Sequence, residues 1–311
     1  MMKEIQSEAL TKQFGSLTAL DQLSLEVNKG ELFGLVGPDG AGKTTTMRLL
    51  CGIMDPTSGE AWVAGHSIIK ESERIKEKIG YMSQRFGLYG DLTVLENILF
   101  YADLFNVPKK ELPKRIERLL GFSNLTPFKD RLAQNLSGGM KQKLGLACAL
   151  IHTPEVLFLD EPTFGVDPIS RGEFWQILYG LLKEGVTIFV STAYMDEAER
   201  CHRVGLLHRG KLIACDEPDQ LKLTTKEAYF EVRSKDRKRT KQILDSMPII
   251  KGTSLYGDSI HIRVEAREKL DEVLERLRTA GIFEAEAREI AASLEDIFIS
   301  MTQSQEGAHV S

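Results

Sequence analysis

The stretch GPDGAGKTT, Gly37 to Thr45, constrains this chain more than any other. It fits G-x-x-x-x-G-K-[ST] through Gly37, Gly42, Lys43 and Thr44, and its setting is the one that such a loop requires. The run Leu32-Phe33-Gly34-Leu35-Val36 before it is apolar on both faces and reads as a buried, parallel-type strand. After it, Lys43 to Met54 reads as a helix, with Met47, Leu50, Cys51 and Met54 at i, i+3, i+4, i+7 spacing. Glycines let such a loop curl so that successive N–H groups face a phosphate, and the positive end of the following helix adds to the attraction. The whole loop (Gly37, Pro38, Asp39, Gly40, Ala41, Gly42, Lys43, Thr44, Thr45) is therefore a candidate nucleotide cradle. Lys43 is expected on the β- and γ-phosphates and the Thr44 hydroxyl on Mg²⁺.

The rest of the chain supplies an α/β frame for that loop. Leu23, Leu25 and Val27 alternate with polar neighbours as in a half-buried strand. Further buried strands are expected at Val156–Leu159 and Val186–Val190, and a hairpin over Val204–Cys215 turning at Arg209-Gly210. Between residues 85 and 150 the pattern turns helical, at Thr93–Phe105, Pro113–Leu120 and Gly139–Ile151. After about residue 222 a new strand–helix–hairpin–helix–strand–helix order begins, read as a small α+β domain over 223–302 with a flexible tail at 303–311. The basic run Lys235 to Arg239 reads as a solvated helix start in preference to an anion site.

A second acidic element complements the loop. Val156-Leu157-Phe158-Leu159 runs into Asp160-Glu161, which places two carboxylates at the C-terminal edge of a buried strand, where α/β sheets bind ligands. Asp160 is the candidate Mg²⁺ ligand, and Glu161 the candidate base or water-orienting group for attack on a γ-phosphate. Leu136-Ser137-Gly138-Gly139-Met140 opens a long helix, so Ser137, Gly138 and Gly139 stand at its positive end. One reading makes this a second anion site, used by a facing subunit in a head-to-tail dimer; the other makes it a helix cap.

Together GPDGAGKTT, Gln84 in YMSQ, LSGGM, VLFLDEP and GVDP (Gly165 to Pro168) resemble the ABC ATPase family over residues 1 to about 222. The resemblance implies a P-loop NTPase of ABC type: a mostly parallel core sheet, an antiparallel β subdomain and a helical insertion. It implies that ATP and Mg²⁺ are bound, that Gln84 joins the metal site and links it to a transmembrane partner, that Asp167 signals across the dimer, and that Phe14 stacks on adenine. Phe14 has a competing reading as a buried core residue. FGLYGDLTVLENILFYADLF and SLEDIF (Ser293 to Phe298) are similar to the ATPase subunits of ABC-2-type exporters, including multidrug exporters. That branch implies separate membrane permeases, a homodimer or heterodimer of ATPase subunits, and a place on the cytoplasmic face of the inner membrane. Ser293 and Asp296 also read locally as a helix cap.

Three positions depart from the family: Asp39 for the usual Asn, Met140 for the usual Gln, and Ala193 where the family's switch histidine stands. The first two are peripheral to the phosphates. Ala193 cannot donate a hydrogen bond, and one lost charge-stabilising donor can cost roughly 10²-fold in rate. His202 is placed nine residues on in a helix, facing elsewhere. The net charge of −5 argues against nucleic acid as the main partner. No Cys-x-x-Cys pair occurs among Cys51, Cys148, Cys201 and Cys215, no apolar run is long enough to span a bilayer, and the N-terminus has no signal-peptide core. A guanine-reading Asn-Lys-x-Asp is missing. Remaining alternatives are a non-transport ABC ATPase acting on ribosomes or DNA, and a regulatory ABC subunit impaired in hydrolysis.

Overall fold

A computed structural model describes residues 2–84, 87–225 and 227–308. Arg85 and Phe86, at the start of the expected helical insertion, and residues 309–311 of the expected tail lie outside the described residues. The chain divides into two compact units, Met1–Cys215 and Asp216–Ser311.

The first unit opens with β1 (Lys3–Phe14), β2 (Leu17–Asn28), β3 (Leu32–Val36), α1 (Lys43–Leu50), β4 (Ser58–Val63), β5 (His66–Ser67), α2 (Ser72–Lys78) and β6 (Ile79–Met82). The helical stretch follows as α3 (Val94–Leu104), α4 (Leu112–Phe122) and α5 (Gly138–Leu150). The unit closes with β7 (Val156–Asp160), α6 (Pro168–Lys183), β8 (Thr187–Thr192), α7 (Met195–Ala198), β9 (Arg203–His208) and β10 (Lys211–Asp216). The core sheet has the order β10-β9-β3-β8-β7-β6, and β9-β3-β8-β7-β6 is parallel throughout. Every residue of β3, β7 and β8 is buried, and their apolar runs Leu32–Val36, Val156–Leu159 and Ile188–Val190 suit strands covered on both faces. A second, antiparallel sheet, β2-β1-β4-β5, packs one face onto the cluster that also holds Met47, Leu49 and Leu50 of α1.

Two sequence expectations are corrected here. Helix α1 stops at Leu50 and does not reach Met54: Gly52 takes φ +63°, its N–H bonds Leu49 O at 3.0 Å, and Ile53 N bonds Arg48 O at 2.9 Å. That pair of bonds ends a helix on a left-handed glycine, and Met54 still reaches the core from outside the helix. His202 is not helical either. Helix α7 is a single turn, and His202 Nδ1 accepts from Leu32 N at 3.1 Å, at the start of β3. It therefore sits at the opposite end of β3 from the Gly37 loop.

The second unit holds α8 (Pro218–Leu223), β11 (Ala228–Arg233), α9 (Arg237–Asp245), β12 (Ile250–Tyr256), β13 (Ser259–Val264), α10 (Leu270–Thr279), β14 (Glu286–Ile290) and α11 (Leu294–Ala308). From β11 to β14 this is a βαββαβ run with sheet order β12-β13-β11-β14, the ferredoxin-like arrangement. Alternation along β11 sends Phe230 and Val232 into the cluster containing Leu244 of α9 and Val273 and Leu277 of α10, while Tyr229 packs with Ile297 of α11. Ser293 and Asp296 cap α11 reciprocally, Asp296 N donating to Ser293 Oγ at 3.1 Å and Ser293 N to Asp296 Oδ2 at 3.0 Å. Helix α11 runs on to Ala308, so residues 303–308 are helical where a flexible tail was expected. The basic run begins α9, capped by Asp236, with Lys235 paired to Glu284 at 2.7 Å and Arg239 bonded to Ala280 O at 3.0 Å.

Candidate functional site

The loop leaving β3 has no room for side chains at its two ends. A Cβ at Gly37 would lie 2.2 Å from Leu207 O, and one at Gly42, whose φ is +108°, would lie 2.5 Å from Ala19 O. Glycine is thus required at both ends by close backbone approach, and at Gly42 by the left-handed conformation as well. Between them Pro38, Asp39 and Gly40 are exposed and Ala41 is buried, while Thr44 and Thr45 are half-buried in the first turn of α1. Lys43 folds back under the loop. Only 4% of its side chain is exposed, and Nζ donates to Gly37 O at 2.8 Å and Pro38 O at 3.1 Å.

The acids arrive from β7. Parallel pairing with β8 sets Asp160 opposite Ser191, whose hydroxyl donates to Asp160 Oδ1 at 2.6 Å. Immediately after the strand the chain turns sharply at Glu161, which has φ +49° although it is not glycine. Its N–H is tied to Ser191 through O and Oγ, both at 3.1 Å, which holds a conformation that costs on the order of 1–3 kcal/mol. The turn brings the Glu161 carboxylate to Lys43, with Nζ to Oε1 at 3.0 Å, while Gln84 Nε2 donates to Oε2 at 2.9 Å. Lys43, Gln84 and Glu161, three of the residues predicted from sequence, thus meet at one carboxylate.

Asp160 Oδ2 is buried and has no hydrogen-bond partner among the described residues. A buried carboxylate oxygen left this way is costly unless a cation or its bound water satisfies it, so Asp160 fits a metal-associated role. Thr44 stands in the first turn of α1 and Gln84 beside Glu161, and both carry side-chain oxygens of the kind Mg²⁺ takes. Among the described residues no group of three or more His, Cys, Asp or Glu could hold a metal. The field of Asp160 also reaches the residues behind it. Burial, and then Asp160, pushes the Tyr81 hydroxyl up to about 12, and the same two causes push the Cys51 thiol well up, so both stay neutral.

The other predicted residues are held by contacts of their own. Ser137 caps α5, its Oγ accepting from Met140 N at 3.3 Å, with Gly138 exposed beside it. Gly139 is pressed against α6, where a Cβ would lie 2.5 Å from Ser170. Among the described residues no hydrogen bond or ion pair joins Ser137, Gly138 or Gly139 to Lys43, Asp160 or Glu161. Phe14 is 46% exposed at the end of β1, which removes its reading as a core residue, and the Lys12 ammonium lies 5.3 Å from its ring centroid. Asp167 caps α6, accepting from Ile169 N at 3.1 Å and Ser170 N at 3.0 Å, and the Ser170 bonds hold its carboxyl below the usual range. Ala193 is exposed, just past β8. Sequence reasoning missed Ser191, which orients both acids; its only signal was its place one residue before the end of a buried strand.

Comparison with known proteins decides the family. The family model described as "ABC transporter" matches residues 20–164. The bacitracin transport ATP-binding protein BcrA of Bacillus licheniformis is 35% identical over 300 residues, covering 96% of either chain. The chain belongs to the ATP-binding proteins of ABC transporters. The probable multidrug ABC transporter ATP-binding protein YbhF of Escherichia coli is 45% identical over 218 residues, 70% of this chain. The match spans only 38% of YbhF. A dimeric ATP-binding cassette in a post-hydrolysis state, bound to ADP and phosphate, is structurally similar with a TM-score of 0.62 and 26% identity, over 68% of this chain and 98% of that one. The fold expected from the motifs is thus the family's fold. Among the described residues no helix is long and apolar enough to cross a membrane.

Proposed function

We propose that this chain binds and hydrolyses ATP to drive a separate transmembrane exporter of the ABC-2 type. The observation that carries the reading is the convergence of Lys43 and Gln84 on Glu161, next to a loop closed to side chains at Gly37 and Gly42. In this reading the loop N–H groups from Gly37 to Thr45 and the Lys43 ammonium hold the β- and γ-phosphates. Thr44, Gln84 and Asp160 would hold Mg²⁺, which would supply positive charge beside the phosphates. Glu161 takes the proton of the attacking water, and Lys43 and Gln84 keep its carboxylate in place. Phe14, exposed at the end of β1, stacks on adenine.

Ser137, Gly138 and Gly139 complete the site from a second subunit, homologous or identical, with ATP between the two. What supports this is a structural relative that is a dimer. The chain works on the cytoplasmic face of the membrane with permease subunits as separate chains. The names of BcrA and YbhF favour transport of drug-like compounds over the alternatives on ribosomes or DNA. Equilibrium titration of the chain with Mg·ATP, alone and with its permease present, tests the reading. Nucleotide binding and ATP turnover are expected, and the absence of adenine nucleotide binding in both settings refutes it.

A further inference from the structure

Two segments leave the C-terminal ends of the adjacent parallel strands β7 and β8; β7 and β8 pair with each other last at Asp160 and Ser191, and Thr192, the final residue of β8, pairs with Val36 of β3. One carries Glu161 and continues through Thr163 to Asp167; the other carries Thr192, Ala193 and Tyr194. Between them lies Glu197 of α7, with none of its surface exposed. A carboxylate so deeply buried is tolerated only when its oxygens are satisfied. Here Thr163 Oγ1 donates to Oε1, Thr192 Oγ1 donates to Oε2 at 2.7 Å, and Arg171 Nε lies 3.5 Å from Oε1. Each partner comes from a different element: the loop after Glu161, the end of β8, and helix α6, which Asp167 caps.

The same residues reach onward to both sides. Thr192 O accepts from Gly37 N at 3.3 Å, and Tyr194 N donates to Thr192 Oγ1 at 3.0 Å. The Arg171 guanidinium lies 4.5 Å from the Tyr194 ring centroid, and its Nη1 is 3.6 Å from Asp196. Ala193, between Thr192 and Tyr194, offers no side-chain hydrogen-bonding group. We infer that Glu197 is a positioning residue for hydrolysis: through Thr163, Thr192 and Arg171 it locks the Thr192–Tyr194 backbone to the segment that runs from Glu161 to Asp167. Its carboxylate oxygens are taken up by Thr163, Thr192 and Arg171. Its effect passes through the placement of Glu161, where a displacement of about 1 Å can cost roughly 10²-fold in rate.

The inference rests on Glu161 as the hydrolytic group, so Glu161→Gln is carried through the same steady-state ATPase assay on the full chain. Thr163→Val, isosteric but without the hydroxyl, is expected to lower kcat at least about tenfold while KM for ATP stays within roughly threefold. Thr163→Ser, which restores the donor, is expected to regain most of kcat. Glu197→Gln is expected to lower kcat in the same way, and the pair Thr163→Val with Glu197→Gln to lose little more than either alone. Equal loss in Thr163→Val and Thr163→Ser, full kcat in Thr163→Val, or a loss that falls on KM overturns the positioning role. These readouts hold even where Glu197→Gln fails to fold. Retained turnover in Glu161→Gln instead overturns the hydrolytic reading on which it stands.

Discussion

Replacing Glu161 by Gln separates two tasks of one carboxylate. Lys43 Nζ lies 3.0 Å from Glu161 Oε1, and both side chains are largely buried. At that distance an effective dielectric near 20 gives an attraction of about 5 kcal/mol before desolvation is counted. The Gly37 and Pro38 carbonyls also hold the ammonium, and Gln84 shares the carboxylate, so only part of that attraction opposes transfer of Lys43 to a phosphate. A charged hydrogen bond is worth about 2 kcal/mol net, which sets the scale of the opposing part. The glutamine amide can still accept a bond from Lys43 but carries no charge, so Glu161→Gln is expected to bind Mg·ATP roughly 30-fold more tightly. Turnover should fall about 10²- to 10⁴-fold, the usual contribution of a general base. Isothermal titration of the variant with ATP, and of both proteins with a non-hydrolysable analogue, measures the first effect; steady-state phosphate release measures the second. Unchanged or weaker affinity in a folded variant refutes the claim that Glu161 competes with phosphate for Lys43. Full turnover refutes its role as base.

Three further outcomes are expected. Ala193→His places a donor in an exposed position just past β8 and should raise kcat by up to roughly 10²-fold in the same phosphate-release assay. Gly37→Ala forces a Cβ toward Leu207 O, which stands 2.2 Å from the ideal position, and should abolish ATP binding by titration with an unfolding cost of about 1–3 kcal/mol. His152, stacked on Phe105 at 3.9 Å with Nε2 bonded to Ile79 O, is held below its ordinary value of 6.5 by burial, against the pull of that bond. The unfolded chain therefore takes the proton first, so stability present above pH 6.5 is lost as pH falls through that value toward the folded one. Urea unfolding across that window should show the decline, and His152→Phe, which keeps the ring stack, should flatten it.

Patterns confined to a few neighbouring residues were enough to identify the Gly37–Thr45 loop, the all-apolar strands, the two acids after Leu159 and the cap at Ser293. Each depends on periodicity or on a bond to an adjacent turn, and such constraints are written along the chain. They did not stop α1 at Leu50, because Met54 satisfies the helical spacing while Gly52 takes a left-handed turn that spacing does not register. Nor did they show that Phe14 is exposed, since an aromatic at a strand end looks alike whether it is covered or not. Gln84 and Glu161 are 77 positions apart, Asp160 and Ser191 are 31 apart, and Thr163 and Glu197 are 34 apart. What joins each pair is the parallel order of β6, β7 and β8, whose C-terminal ends come together only when the sheet has formed. The chemistry of each side chain is thus a local property, whereas its hydrogen-bond partner, its burial and its charge neighbour are set by which strand lies beside which.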